Sequence, residues 1–146
     1  MTTIKKSIVI EGDPMEIDAL TSDTGRLPEW YAGVVGAEAE PGYPEQIGSQ
    51  AKLTYKAAGV TFETTLTTVE FEAGKKSLFQ MDGMITGTNR WTYATEEAGT
   101  RLTIEFDYEM PGGGLGKIAD RLLVERMNDK NAETSLKNLK ALFEGG

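Results

Sequence analysis

The sequence predicts an α+β domain in which a curved antiparallel sheet of about six or seven strands wraps around one long C-terminal helix. Between Val34 and Met110, apolar residues recur mostly at every second position, in runs separated by short glycine-containing turns. This pattern is typical of half-buried strands joined as hairpins. From about Leu115 to Phe143 the apolar spacing changes to three and four residues, which indicates an amphipathic helix. That helix is the only long amphipathic element available to cover the sheet.

The N-terminal segment predicts one strand followed by two short helices. Residues Thr3–Glu11 are rich in β-branched side chains, which favour a strand. Asp13 fits the N-cap of a helix that begins at Pro14 and ends near Leu20, because proline is tolerated at the first helical position. Leu27–Tyr31, with Pro28 near its start, predicts a second helical turn.

Two places interrupt the regular patterns. After Leu66 the apolar parity changes, since Val69 and Phe71 rather than Thr68 and Glu70 are apolar. A β-bulge near Thr67–Thr68 is expected to restore the inward face. The apolar stripe of the long helix comprises Leu115, Ile118, Leu122, Leu123, Met127, Ala132, Leu136, Leu139 and Phe143. It is broken by the polar run Asn128–Asn131, which indicates a mild bend, a face at a cavity opening, or plain solvent.

Composition excludes several classes of chemistry. The 146 residues fit a single domain, 1–146, and carry a net charge of −8. An acidic chain is a poor candidate for nucleic acid or anionic membranes, because both are bound through Lys and Arg. Cysteine and histidine are both absent, which removes disulfides, thiolate and imidazole metal sites, and Ser-His or Cys-His catalysis. We therefore expect no metal and no cofactor.

The expected location is the cytoplasm. The lysines at the N-terminus are not followed by an apolar run, and Glu11 and Asp13 come too early for a signal peptide. No stretch approaches the ~20 apolar residues that span a bilayer, so stable membrane insertion is not expected.

Three local motifs carry a resemblance to a known superfamily. They are Leu27–Trp30 as a proline-aromatic turn, Gly87–Tyr93 with Gly99–Thr103 as a late hairpin, and Leu115–Leu123 with Ser135–Lys140 as the two ends of a long helix. With the order of elements, they make the whole chain resemble the helix-grip fold of the START-like (SRPBCC, Bet v 1-like) superfamily. Within it, the chain looks like the polyketide cyclase/dehydrase and lipid-transport group. The resemblance implies an internal cavity for an apolar or aromatic molecule, and it does not imply one shared reaction.

The candidate ligand-binding residues are the inward-facing side chains of the strands and the helix. Aromatic and sulfur-bearing side chains dominate them, which suits a largely apolar ligand. For any one residue, ordinary core packing competes with ligand contact. The candidates are Trp30, Tyr31, Leu53, Tyr55, Phe62, Thr64, Leu66, Phe79, Met81, Trp91, Tyr93, Ile104, Phe106, Tyr108, Ile118, Leu122 and Met127.

Several roles stay open at this point. Trp30 and Tyr31 are either a gate over the cavity or a packing anchor, and the hydroxyls of Tyr93 and Tyr108 point either into the cavity or away from it. The nearest candidates for proton transfer at the rim are Glu29, Asp82 and Arg90, since a carboxylate in an apolar pocket gains a raised pKa. The acidic stripe Glu105, Asp107 and Glu109 is more simply a solvent face than a metal site.

Three functions compete. The first is a carrier or sensor for a hydrophobic, lipid- or polyketide-like molecule. The second is a cyclase or dehydrase that uses the same cavity and moves protons with Tyr, Arg or a carboxylate. The third is a protein-interaction module. Among them, the aromatic lining and the lack of good catalytic groups favour the carrier or sensor.

Overall fold

The computed structural model describes residues 2–57, 59–109 and 118–145. Seven strands form one antiparallel sheet in the order β1-β7-β6-β5-β4-β3-β2, so that strands β2 to β7 follow one another as hairpins and β1 adds to β7. The strands are β1 (Thr2–Ile10), β2 (Val34–Ala39), β3 (Gln50–Ala57), β4 (Val60–Glu72), β5 (Lys76–Gly83), β6 (Thr86–Glu96) and β7 (Gly99–Glu109). The predicted helix-grip sheet is confirmed.

The two short helices lie between β1 and β2, as predicted. Helix α1 (Pro14–Thr21) begins at Asp13, whose side chain accepts a hydrogen bond from the Met15 amide at 2.8 Å. A 3₁₀ turn, Thr24–Arg26, leads into the single turn of α2 (Leu27–Trp30). The long C-terminal helix α3 (Ile118–Gly145) follows β7. The predicted helical residues 115–117 lie outside the described residues.

Helix α3 is fixed to the sheet and to α2 by polar contacts as well as by its apolar stripe. The Lys140 ammonium donates to the Val9 carbonyl at 2.8 Å, and Asn138 donates to the Trp30 carbonyl at 3.1 Å. Ser135 is fully buried and accepts from the Ala32 amide at 2.8 Å. In the described part of the chain, none of the helices combines the length and the apolar character needed to cross a membrane.

Two details of the apolar pattern differ from the prediction. The bulge of β4 falls at Val69, between the paired residues Thr68 and Glu70, so Thr68 stays buried and Val69 is 42% exposed. On α3, Leu123 is exposed and Val124 is fully buried. The two errors are of the same kind. One extra residue in a strand, or a one-position change in the phase of a helix, moves an apolar residue to the opposite face without changing the composition.

Candidate functional site

A cavity of about 120 Å³ lies inside the fold, between the concave face of the sheet, the α1–α2 segment and α3. Its wall is mostly aromatic and aliphatic, with a few amide and hydroxyl groups. The wall is formed by Ile4, Thr21, Ser22, Thr24, Leu27, Tyr31, Val34, Tyr43, Pro44, Leu53, Tyr55, Phe62, Thr64, Leu66, Ser77, Phe79, Met81, Ile85, Asn89, Trp91, Tyr93, Phe106, Tyr108 and Asn128.

Most of the candidate residues from the strands line this cavity. Alternation along each strand places them on the same concave face. The candidates in the wall are Tyr31, Leu53, Tyr55, Phe62, Thr64, Leu66, Phe79, Met81, Trp91, Tyr93, Phe106 and Tyr108. Ile104 is fully buried in the core behind it, and Met127 packs against the core without reaching the wall. The side chains of Ile118 and Leu122 lie outside the described residues.

The structure separates the roles of Trp30 and Tyr31. Trp30 is 1% exposed and is not part of the wall. Its ring packs edge-on against Trp91, with centroids 5.9 Å apart, and against Tyr31 at 5.7 Å. Tyr31 is half-buried and lines the cavity, and its ring packs at a tilt against that of Phe106, with centroids 6.2 Å apart. Trp30 is therefore a packing anchor that holds Tyr31 in place.

The polar run of α3 faces the sheet rather than solvent at two of its positions. Asn128 and Asn131 are both buried. The Asn128 amide donates to the Tyr108 hydroxyl at 3.1 Å, and the Asn131 amide donates to the Tyr55 hydroxyl at 3.0 Å. Of the three alternatives left open by the sequence, the structure selects the cavity face at Asn128, which lines the wall.

A buried carboxylate supports the opposite part of the wall. Asp18 on α1 is 5% exposed and accepts hydrogen bonds from the Gly74 amide and from the Ser22 hydroxyl at 2.7 Å. Its negative charge adds to burial in raising the pKa of Tyr93, whose hydroxyl forms a 2.6 Å hydrogen bond with the Thr21 hydroxyl. Asp18 itself is not in the wall, so it is a positioning residue for the side chains that are.

The proposed rim acids and base are not part of this site. Glu29 pairs with Arg26 at 3.1 Å on the surface, and Asp82 and Arg90 are exposed on the outer face of the sheet. None of the three lines the cavity; for Asp82 and Arg90 the reason is that alternate strand positions face away from the concave side. Asp107 of the acidic stripe accepts from the Thr3 hydroxyl at 2.6 Å. Within residues 2–57, 59–109 and 118–145, no cluster of three or more acidic side chains could hold a metal ion.

Burial keeps four of the wall tyrosines, Tyr31, Tyr43, Tyr55 and Tyr93, protonated. It raises the pKa of Tyr31 and of Tyr43, with the neighbouring hydroxyls of Tyr55 and Tyr108 adding to the shift at Tyr31. Burial also raises the pKa of Tyr55 and, together with the Asp18 charge, that of Tyr93. At neutral pH these groups are hydrogen-bond donors and acceptors rather than bases.

These shifts predict a loss of stability in alkali. In the unfolded chain the tyrosines release their protons near pH 10, whereas in the folded chain they keep them to higher pH. Above about pH 10 the unfolded state thus binds fewer protons than the folded state. The free energy of unfolding should therefore not change through tyrosine ionisation below that pH, and should fall above it. Urea unfolding from about pH 8 to pH 11.5, with tyrosinate absorbance recorded in parallel, measures this.

The matched control is Tyr93→Phe, which removes one titrating group and should make the alkaline slope shallower. Tyrosinate absorbance that rises near pH 10 while the protein is still folded would contradict the prediction.

Sequence reasoning missed several members of the site. Asn89 and Ser77 stand on inward strand faces that were recognised, but neither was selected because both are polar. Asn128 lay in the polar gap of the helix. Tyr43 and Pro44 come from the loop between β2 and β3, where no periodicity indicates a direction. For Asn89 and Ser77, the available signal was a polar residue in phase with an apolar strand face.

Comparisons with known proteins agree with this architecture. The family model described as polyketide cyclase/dehydrase and lipid transport matches residues 1–144. No curated protein matches the sequence. A solved structure from Thermus thermophilus is similar with a TM-score of 0.80 and 18% identity, covering 99% of this chain and 100% of the other.

Two further solved structures are similar over nearly the whole chain. A START superfamily protein from Mycobacterium smegmatis gives a TM-score of 0.78 at 16% identity, covering 98% of this chain and 97% of the other. An aromatase/cyclase from Streptomyces sp. R1128 gives 0.76 at 15% identity, covering 98% and 93%. At these identities the likeness shows a common fold.

Proposed function

Because the chain belongs to the polyketide cyclase/dehydrase and lipid-transport family, we propose that it binds a hydrophobic or aromatic small molecule in the cavity between sheet and α3, as a carrier or sensor. The observation that carries the proposal is the cavity itself. Protein interiors are normally filled to crystal-like density, whereas here about 120 Å³ is left open behind an aromatic and aliphatic wall. Such a wall binds apolar molecules and orients them through a few polar groups.

The size of the cavity limits what fits without rearrangement. A dry cavity of ~150 Å³ accepts a molecule the size of benzene, so the space here suits about one ring. A ring that carries a substituent such as a propyl group already requires wall side chains to move. Tyr31 and Tyr43 are the candidates, since both are only half-buried and come from the short helical segment and a loop rather than from the sheet.

A cyclase or dehydrase activity is the second candidate, because the similar solved structure from Streptomyces sp. R1128 is described as an aromatase/cyclase. Acid–base catalysis needs a group that changes protonation near the working pH. Among the described wall residues, the ionisable groups are tyrosines, and the pKa values of Tyr31, Tyr43, Tyr55 and Tyr93 are raised. This arrangement supports binding more directly than proton transfer.

A single domain over residues 1–146 and a cytoplasmic location remain predictions from the sequence. Both are compatible with a carrier that meets its ligand in solution.

Filling the cavity tests the proposal. Ser77 lines the wall opposite Trp91 on the neighbouring strand, and Ser77→Phe introduces a ring into the open space. We expect it to weaken binding of a one-ring apolar probe, propylbenzene, by at least about 10-fold, which is ~1.4 kcal/mol. Isothermal titration measures the affinity, and native mass spectrometry of freshly purified protein looks for a bound ligand.

The matched control is Ile104→Val, which changes a neighbouring buried side chain outside the wall. It should leave the affinity unchanged. At a probe concentration of about 100 times Kd, binding should stabilise the unmodified protein by ~2.7 kcal/mol. Equal affinity of Ser77→Phe and the unmodified protein, or no ligand recovered and no thermal shift with the probe, would show the proposal to be wrong.

A further inference from the structure

Two buried acceptor atoms in the cavity wall have no hydrogen-bond donor in the described part of the chain. They are the side-chain carbonyl oxygens of Asn89 and Asn128. The two residues are only 8% and 7% exposed. Buried polar groups in folded proteins are nearly always paired, because an unpaired one loses its water without compensation. Both asparagines line one cavity, so a ligand in that cavity is the group placed to supply the missing donors.

The positions of the two asparagines make them suited to this task. Asn89 stands in the middle of β6, with Phe79 and Phe106 beside it on the adjacent strands, and both rings line the cavity. Asn128 reaches the cavity from α3, on the other side. Its amide nitrogen is held by the Tyr108 hydroxyl at 3.1 Å, which fixes the direction of the remaining carbonyl oxygen. Two other buried side-chain atoms without partners, on Trp30 and Thr68, are not in the wall.

The charge of the wall restricts the ligand further. Across the described ranges, no Asp, Glu, Lys or Arg side chain belongs to the cavity wall. An ionic ligand would lose its hydration without gaining a counter-ion, and burial of an unpaired charge is far more costly than burial of a paired dipole. The polar groups that the wall does offer are neutral amides and hydroxyls.

We propose that the ligand is an uncharged molecule with a hydroxyl or N–H donor. The side-chain carbonyl oxygens of Asn128 and Asn89 accept hydrogen bonds from that donor. The two asparagines then set specificity: they favour a donor-bearing ligand over one that only accepts hydrogen bonds, and over a carboxylate. This inference rests on the proposed function, since it describes how the same cavity selects its occupant.

A series of one-ring probes tests the inference. Propylbenzene has no polar group, 4-propylphenol has a donor, 4-propylanisole has only an acceptor, and 4-propylbenzoate is an anion at neutral pH. In the unmodified protein we expect 4-propylphenol to bind about 10-fold more tightly than 4-propylanisole, and 4-propylbenzoate to bind most weakly. In the double variant Asn89→Leu/Asn128→Leu, the ratio between phenol and anisole should fall to about 1, while propylbenzene still binds.

The chain offers a matched control in Asn131→Leu. Asn131 is also buried on α3 and also donates to a tyrosine hydroxyl, Tyr55, but it does not line the cavity. Its loss should leave the phenol-to-anisole ratio near 10. A structural effect of losing an asparagine–tyrosine hydrogen bond would instead lower the ratio in both variants.

The outcomes separate the two proposals. If propylbenzene binds but 4-propylphenol is no better than 4-propylanisole, or if 4-propylbenzoate binds best, the inference is overturned and the proposed function stands. If none of the four probes binds, both are overturned. The comparison of probes on the unmodified protein decides the matter even if a leucine variant fails to fold.

Discussion

Gly87→Ala is expected to destabilise the protein by about 4 kcal/mol and to lower its Tm by about 10 °C. Gly87 on β6 pairs with Tyr108 on β7 and has a φ of +144°, a conformation that residues with a side chain rarely adopt. A Cβ atom there would overlap the Asp107 carbonyl oxygen and lie 2.8 Å from the Tyr108 Cα. These are backbone atoms of a paired strand, so they cannot move aside without breaking the ladder.

Gly48→Ala separates the two causes of this loss. Gly48 has a φ of +89°, but nothing lies within 4 Å of the position that its Cβ would occupy. It should therefore show the conformational cost alone, about 1 kcal/mol. Thermal unfolding of both variants measures the difference. Equal losses in the two would mean that β6 and β7 separate easily at Gly87, and the close approach would not be a constraint.

Trp30→Ala should lower the free energy of unfolding by about 3–5 kcal/mol, because it removes a fully enclosed ring. Trp30 packs on Trp91 of the sheet, and its carbonyl accepts from Asn138 of α3. The residue therefore joins the short-helix segment to both major parts of the fold. Denaturant unfolding, with the midpoint and slope fitted separately, measures the change.

The neighbouring residue supplies the comparison. Tyr31→Ala removes a half-buried ring that borders an existing space, so its expected cost is smaller, ~2 kcal/mol. It should also alter affinity for the propylphenol probe, since Tyr31 is in the wall. A loss at Trp30 no larger than the loss at Tyr31 would mean that Trp30 is not the anchor of this segment.

The fold could be predicted from the sequence because its strands alternate so regularly. Ser77, Phe79 and Met81 on β5, and Leu102, Ile104, Phe106 and Tyr108 on β7, are all buried in phase. Asp13 and Pro14 marked the start of α1 by local chemistry alone. Val69 and Leu123 were misplaced since a bulge and a helix phase are decided by the partner surface, which periodicity does not contain.

The site was predictable only in its apolar part. Asn128 and Tyr108 are brought together by the packing of α3 on the sheet, and no local pattern indicates that their side chains meet. The buried carboxylate of Asp18 has the same origin, because its partner at Gly74 belongs to the β4–β5 turn. A polar side chain is buried in an apolar interior when a distant residue supplies its hydrogen-bond partner, and sequence spacing does not reveal that partner.

On the proposed function, the cavity that Tyr31 lines also has a consequence for how long the protein stays folded. Wall side chains that face an unfilled space forgo packing contacts, and a domain is held folded by only ~5–15 kcal/mol, so a ligand that fills the space should add measurably to stability. The unoccupied form should then open more often and be degraded faster by quality-control proteases. The amount of protein would then follow the supply of the proposed ligand, and would itself report whether that molecule is available.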